Sequence, residues 1–309
     1  MSRILPNRLP RPMAPTLSRP SLATVAELLK PVTWFPPMWA FTCGVIASGG
    51  AVLENWPIVV VGILLAGPLV CATSQAVNDW FDRHVDAINE PHRPIPSGRM
   101  PGRWGLGIAI AWTVLSLIVA TALGPWGFGA AMLGLLLAWL YSAPPVRLKA
   151  NGWFGNAACG LSYESLAWAT GAAVMAGGVM PDPKSLWLAL LYGLGAHGIM
   201  TLNDFKAIEG DSRMGVRSLP VQLGADRAAR VACWTMAVPQ VAVIGSLLAW
   251  GRPGHAIAVV ALLLAQGVLM TWFTRAPVAR ALAYSGFGVP LYVAGMMVSA
   301  FALRTLGGS

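Results

Sequence analysis

Nine apolar stretches run through the chain, at 34–53, 57–77, 104–123, 126–142, 157–178, 186–205, 228–250, 255–273 and 284–303. Each is near the length of about 20 residues that a helical membrane span requires. They are rich in Leu, Ala, Val and Gly and lack the alternation of a barrel strand. Each is therefore expected to be a helix that pairs its own backbone groups within the bilayer. The polar segments between them are unequally charged. With the N-terminus placed in the cytoplasm, eighteen Lys and Arg residues fall inside and three, Lys184, Arg252 and Arg304, fall outside. This positive-inside asymmetry supports an odd number of spans.

Composition agrees with that pattern. Mean hydropathy is +0.63 and 11% of residues are charged, against roughly 25% in a soluble domain. The expected fold class is an all-α polytopic membrane protein. A net charge of +9 needs no nucleic acid, because anionic lipid headgroups and an anionic substrate on one face account for it. Cys43, Cys71, Cys159 and Cys233 stand singly inside predicted spans, without CxxC or CxxH spacing, and read as small buried hydrophobes. Residues 1–30 are rich in Arg and Pro, with no acid before Glu27. Without the apolar core and cleavage site of a signal peptide they read as a basic cytoplasmic tail, with an organellar transit peptide as the alternative. Residues 31–309 read as one polytopic domain.

The acidic residues are few and clustered. Seven of twelve lie in VNDWFDRHVDAINEPHRPIPSG (77–98) and TLNDFKAIEGD (201–211). Each cluster opens on an Asn-Asp pair where a span ends, and each is followed by a basic segment containing proline, HRPIPSG or VRSLPVQLG. The two pairs, 125 residues apart, suggest a weak duplication of four spans and a loop, with a ninth span appended. Chance similarity is the alternative. Both clusters fall on the same side by topology and can face each other across a bundle.

On a helix Asn78, Asp82 and Asp86 follow i, i+4, i+8 spacing and form one stripe drifting about 80°. Asp204 and Asp211 share a face, with Asn203 adjacent. Oxygen donors without His or Cys suit Mg²⁺, which takes one or two carboxylates together with substrate phosphates and water. Asp82, Asp86, Asp204 and Asp211 are the candidate catalytic and metal-holding carboxylates; Asn78 and Asn203 are candidate ligands. Arg93, Arg147, Lys149, Lys206 and Arg217 fall on the same face and suit the oxygens of a diphosphate. Asp79 and Glu209 project off the stripes, and Glu90 reads as a loop residue. The competing reading is that these charges decorate solvated loops.

The pattern NDxxDxxxD (Asn78, Asp79, Asp82, Asp86), with a second acidic motif after the sixth span, resembles the intramembrane prenyltransferases of the UbiA type. LLKPVTWFPPMWAF (28–41), NDWFDRHVDAINEPHRPIPSG (78–98), YSAPPVRLK (141–149) and LNDFKAIEGDSRMGVRSLPVQLG (202–224) are similar to the signatures of that family's chlorophyll and bacteriochlorophyll synthase branch. GVRSLPVQLG leans toward the bacteriochlorophyll side. The resemblance implies a nine-helix bundle with a central cavity open to the cytoplasmic face. Many members carry Asp where this chain has Ala207, so metal binding here rests on Asp204 and Asp211, and a second ion is less secured.

The activity implied is Mg²⁺-dependent esterification of the propionate of chlorophyllide or bacteriochlorophyllide by geranylgeranyl or phytyl diphosphate. The resemblance also implies a bacterial inner or intracytoplasmic photosynthetic membrane, with pigment-biosynthesis or assembly proteins as potential partners. An acceptor carboxylate, with a pKa near about 4.3, is already ionised at neutral pH, so no catalytic His is expected. Tyr141 and Ser142 are candidate diphosphate contacts, though interfacial anchoring explains Tyr141 equally. Glu164 and His197 are ionisable groups inside spans and so candidates for the substrate pocket; an interhelical hydrogen bond and a satisfied structural His are the alternatives. His84 and His92 read as solvated loop residues. Rival functions are transfer to a haem or quinone ring, a divalent-cation transporter and a pigment-binding scaffold. A transporter would place its acids near the bilayer midplane, away from the basic residues that accompany these.

Overall fold

Apolar runs with little charge form helices because, away from water, a helix pairs every backbone N–H and C=O within its own segment. The computed structural model describes residues 19–306, and among these every regular element is helical, apart from an isolated parallel bridge between Asn151 and Arg217. α1 (Leu22–Leu29) is capped by Ser21, whose Oγ accepts from the Thr24 N–H at 3.2 Å. The chain turns at Lys30 into α2 (Phe35–Ala47). Next, α3 (Trp56–Leu64) passes through a π-helical stretch, Leu65–Cys71, into α4 (Ala72–Asn89). Pro68 lies in that stretch; it has no N–H to donate, and the wider turn accommodates the lost bond.

α5 (Trp104–Ala120) and α6 (Gly124–Ser142) are divided by a 3-10 turn at Thr121–Leu123, and Gly124 takes φ 74°, where a side chain would be strained. α7 (Gly152–Gly160) continues through a second π-helical stretch, Leu161–Leu166, into α8 (Ala167–Met175). Then follow α9 (Pro183–Asp204), the short α10 (Ile208–Arg213) and α11 (Leu219–Leu223), α12 (Ala225–Ala249), α13 (Pro253–Thr274) and α14 (Pro277–Arg304). Among the described residues, six helical stretches are long and apolar enough to cross a membrane: Trp56–Ile88, Trp104–Ser142, Pro183–Asp204, Ala225–Ala249, Pro253–Thr274 and Pro277–Arg304; Phe35–Ala47 is apolar but shorter.

Two departures from the sequence reading matter for the site. The second apolar run does not stop at residue 77 but continues as helix through Asn89, which carries the Asn78, Asp82 and Asp86 stripe as expected and makes His84, read as a loop residue, helical, while Glu90 follows the helix end. The expected tail is not all tail: residues 1–18 lie outside the described residues, but Leu22–Leu29 is a helix that buries Leu28 and Leu29 against Ala72, Ala76 and Val77 of α4. An apolar pair followed by Lys30 looks like a basic tail when only charge is counted.

α9 is the most enclosed of the long helices, with 67% of its apolar window buried, which puts the second Asn-Asp pair at the end of the central helix. Close crossings surround it. A Cβ on Gly44 would meet the Trp168 carbonyl oxygen at 1.9 Å, and one on Gly171 the Phe41 carbonyl oxygen at 2.1 Å, so α2 and α8 touch backbone to backbone. The segments after α4, α6 and α9 meet at one end of the bundle. The Arg217 N–H donates to the Ala150 carbonyl at 3.0 Å and the Gly152 N–H to the Arg217 carbonyl at 2.8 Å, while Arg99 grips Glu27 of α1 through both guanidinium arms at 2.5 and 2.7 Å.

Candidate functional site

At that end the acids of α4 project from several faces of one helix, and each acid is met by a cation. Asp82 pairs with Lys149, and Arg147 lies 3.5 Å away. Asp86 accepts from Arg93 at 2.9 Å. Asp79, only 1% exposed, accepts from Lys30 Nζ at 2.6 Å and from Arg93 at 3.4 Å. Arg93 also pairs with Glu90, so one guanidinium spans three carboxylates. Burial works to lower the affinity of Arg93 for its proton, but Asp79, Asp86 and Glu90 outweigh it and raise its pKa above the usual value. Lys149 goes the other way: burial pulls it below the ordinary lysine range, with Asp82 opposing. Lys30 and Arg147 are the non-glycine residues with positive φ, 48° and 42°, among the described residues. Backbone in this region is costly and is retained where surroundings demand it; here it carries two cations to two acids.

The second motif closes the opposite side. Asn156 Nδ2 donates to Asp204 Oδ2 at 3.2 Å and to Thr201 Oγ1 at 3.2 Å, and Ser218, buried, lies beside Asp211. Burial pushes the Asp211 carboxyl above the usual carboxylate range, Ser218 opposes, and the negative field of Asp82 adds to the rise. The charge of Asp82, on the first motif, is thus felt at Asp211, on the second. Glu209, exposed, pairs with Arg213 at 2.5 Å and stands apart.

Between the motifs opens a cavity of about 560 Å³. Lys30, Asn78, Arg93, Tyr141, Asn203 and Lys206 line its polar part, and residues such as Phe41, Leu65, Leu137 and Leu166 line its apolar part. The remaining candidates lie both off the cavity and on it. Ser142 is fully buried and accepts from Asn78 Nδ2 at 3.3 Å, so it orients Asn78 from behind. Arg217 is exposed and joins the site through its backbone bridge to 150–152. His197 packs on the Trp153 ring with centroids 5.6 Å apart. Tyr141 faces the cavity with the Lys149 ammonium 6.0 Å from its ring centroid. Glu164 lines the cavity wall and is 4% exposed.

Sequence reasoning missed Lys30, Asn156 and Ser218. Asn156 left a signal, an amide within the apolar stretch 152–160; Lys30 left none, since its partner is 49 residues away. Replacing Lys30 with Met is expected to lower kcat/KM for the isoprenoid diphosphate that the resemblance implies about 10- to 100-fold, the equivalent of one charge-assisted hydrogen bond, with Lys30→Arg retaining most activity. Steady-state kinetics in nanodiscs read this, and an unchanged kcat/KM in the Met variant would remove Lys30 from the site.

The donor set suits a hard divalent cation. Its members are oxygen donors, the carboxylates of Asp82, Asp86, Asp204 and Asp211 and the amide oxygens of Asn78 and Asn203. Among the described residues no three His, Cys, Asp or Glu side chains converge as a preformed cage. Mg²⁺ does not call for one, because substrate phosphates and water complete its octahedron.

Comparison with known proteins places these residues in context. Residues 35–303 match the UbiA prenyltransferase family. The chain is 56% identical over 289 residues to the bacteriochlorophyll synthase 33 kDa chain of Cereibacter sphaeroides, covering 94% of this chain and 95% of that one. It is 40% identical over 288 residues to the chloroplastic chlorophyll synthase of Arabidopsis thaliana, covering 89% of this chain and 73% of that one. In fold it is similar to a UbiA homolog from Archaeoglobus fulgidus solved bound to GPP and Mg²⁺, with a TM-score of 0.64 over 91% of this chain and 99% of that one; at 20% identity this likeness speaks for fold alone.

Proposed function

The chain belongs to the UbiA prenyltransferase family, and from that premise we propose that it is an integral membrane prenyltransferase of the bacteriochlorophyll synthase type. It joins the propionate of bacteriochlorophyllide to a geranylgeranyl or phytyl group and releases diphosphate. The observation that carries this reading is that Asn78 of the first motif, Asn203 of the second, and Lys30, Arg93 and Lys206 line one largely apolar cavity, with Asp86 paired to Arg93 and Asp82 to Lys149 and Arg147. The higher identity to the bacteriochlorophyll synthase than to the chlorophyll synthase favours the bacterial pigment as acceptor.

The chemistry follows from the parts. Burial of about 0.8 kcal/mol per CH₂ keeps a twenty-carbon chain among apolar side chains while its headgroup reaches the polar rim. Arg93, Lys30 and Lys206, which line that rim, and Lys149 beside it receive diphosphate oxygens. Asp82, Asp86, Asp204 and Asp211, with Asn78 and Asn203 on the cavity lining, would hold Mg²⁺. When bound, the ion supplies charge neutralisation that turns diphosphate into a leaving group. The enclosing helices keep water from an allylic cation. The acceptor carboxylate attacks in its ionised form, so His197, packed on Trp153, has no proton to move.

We also read nine membrane crossings from the helical segments, with the acidic end and the N-terminus in the cytoplasm of a photosynthetic bacterial membrane, on the strength of the Lys and Arg asymmetry. The grouping of acids beside cations, which would repel a permeating ion, speaks against a transporter. Purified protein supplied with Mg²⁺ and geranylgeranyl diphosphate is expected to esterify bacteriochlorophyllide at higher kcat/KM than chlorophyllide, read by chromatography of the pigment. Faster transfer to a phenolic ring would replace this reading.

A further inference from the structure

The apolar chamber beneath the mouth carries polar groups that a hydrocarbon tail cannot use. The π-helical stretch Leu161–Leu166 sets Ser162, Tyr163 and Glu164 on the wall. The Tyr163 hydroxyl lies 2.9 Å from Ser74 Oγ, accepts from Gln75 Nε2 at 3.1 Å and is 3.5 Å from Cys71 Sγ. Those three residues end the other π-helical stretch and begin α4. The two irregular turns thus meet at one side of the cavity, and π-turns recur at functional sites.

Glu164 is the unsatisfied member of this wall. It is 4% exposed, forms no ion pair among the described residues, and its Oε2 is buried without a hydrogen-bond partner. Phe41, Leu65, Ala66, Leu166 and Ala167, on the same lining, already provide what an isoprenoid chain needs. An ionisable group kept inside a membrane segment without a partner points to a ligand, and of the two substrates only the tetrapyrrole carries hydrogen-bonding groups away from its reacting end.

We propose that Glu164 is a specificity-determining residue for the acceptor, its carboxyl hydrogen-bonding an uncharged polar group, such as a ring carbonyl, on the edge of the tetrapyrrole, with Tyr163 and Gln75 flanking it. This rests on the tetrapyrrole prenyltransferase reading above. The propionate is not its partner, because that carboxylate must lie at the mouth, by the diphosphate.

The test uses the full chain in nanodiscs and the variants Glu164→Leu and Glu164→Gln. Glu164→Leu is expected to raise KM for bacteriochlorophyllide about tenfold, with KM for geranylgeranyl diphosphate within about twofold, while Glu164→Gln, which keeps hydrogen-bonding capacity, stays within about threefold of wild type for both. Equilibrium binding of bacteriochlorophyllide alone, followed by its absorption without metal or diphosphate, is expected to weaken by the same factor in the Leu variant. If Glu164→Leu does not fold, Glu164→Ala reads the same contrast. Unchanged pigment binding and KM, or equal rises in both KM values, would overturn the proposal. A wild-type protein that binds the pigment but transfers nothing to it would defeat the enzymatic reading and leave the binding comparison to decide Glu164; one that binds no pigment would defeat both.

Discussion

An Asp82→Ala variant is expected to lose transferase activity about 100- to 1,000-fold, the scale on which a preorganised electrostatic contact to developing charge acts. Asp82 is where the two halves of the site meet. It pairs with Lys149, stands 3.5 Å from Arg147, and its field reaches Asp211 on the second motif. Removing it subtracts an oxygen donor and leaves Lys149, already drawn below its usual pKa by burial, without the acid that favours its charge. The diphosphate site would then lose a cation together with an anion. Asp82→Asn keeps the shape but neither charge nor ion pair, and is expected to fall within tenfold of the Ala variant. Kinetics at saturating Mg²⁺, beside thermal unfolding in detergent to show that the bundle remains intact, check both. Full turnover in Asp82→Ala would take the first motif out of the chemistry.

Metal removal carries the other large effect. Saturating chelator is expected to abolish pigment esterification, and excess Mg²⁺ to restore it. Donors that are all oxygen, spread across a mouth and not gathered into a cage, bind Mg²⁺ weakly without the diphosphate and firmly with it. The concentration of Mg²⁺ giving half-maximal rate should therefore fall as the isoprenoid diphosphate concentration rises. Measuring that dependence separates a metal shared with substrate from a structural ion. A rate indifferent to chelator would leave the basic residues as the sole means of neutralising the leaving group.

Much of this was legible in the sequence, and the losses have definite causes. Apolar runs locate the long helices because scarcity of charge over about 20 residues is a local property, and the concentration of like chemistry where spans end points to Asp82, Arg93, Lys149 and Lys206, which the fold gathers at one end of the bundle. Asp79 was set aside on helical phase, an argument that gives α4 a single partner face. The folded chain lays α1 and the 90–103 segment over another face, and there Lys30 and Arg93 meet Asp79. Ser142 and Arg217 were drawn in by neighbourhood along the chain, yet one is sealed behind Asn78 and the other points its charge to solvent. The π-helical turns that put Tyr163 and Gln75 in contact have no sequence pattern beyond Pro68.

Both acidic motifs are proposed to hold one headgroup. A structure of the protein in a lipid nanodisc with Mg²⁺ and an unreactive thiolodiphosphate analogue of the isoprenoid substrate tests it most directly. The diphosphate is expected between α4 and the α9–α10 junction, its metal contacted by carboxylates from both. A headgroup and metal held by one motif alone, with the other facing only its own lysines and arginines, would contradict it.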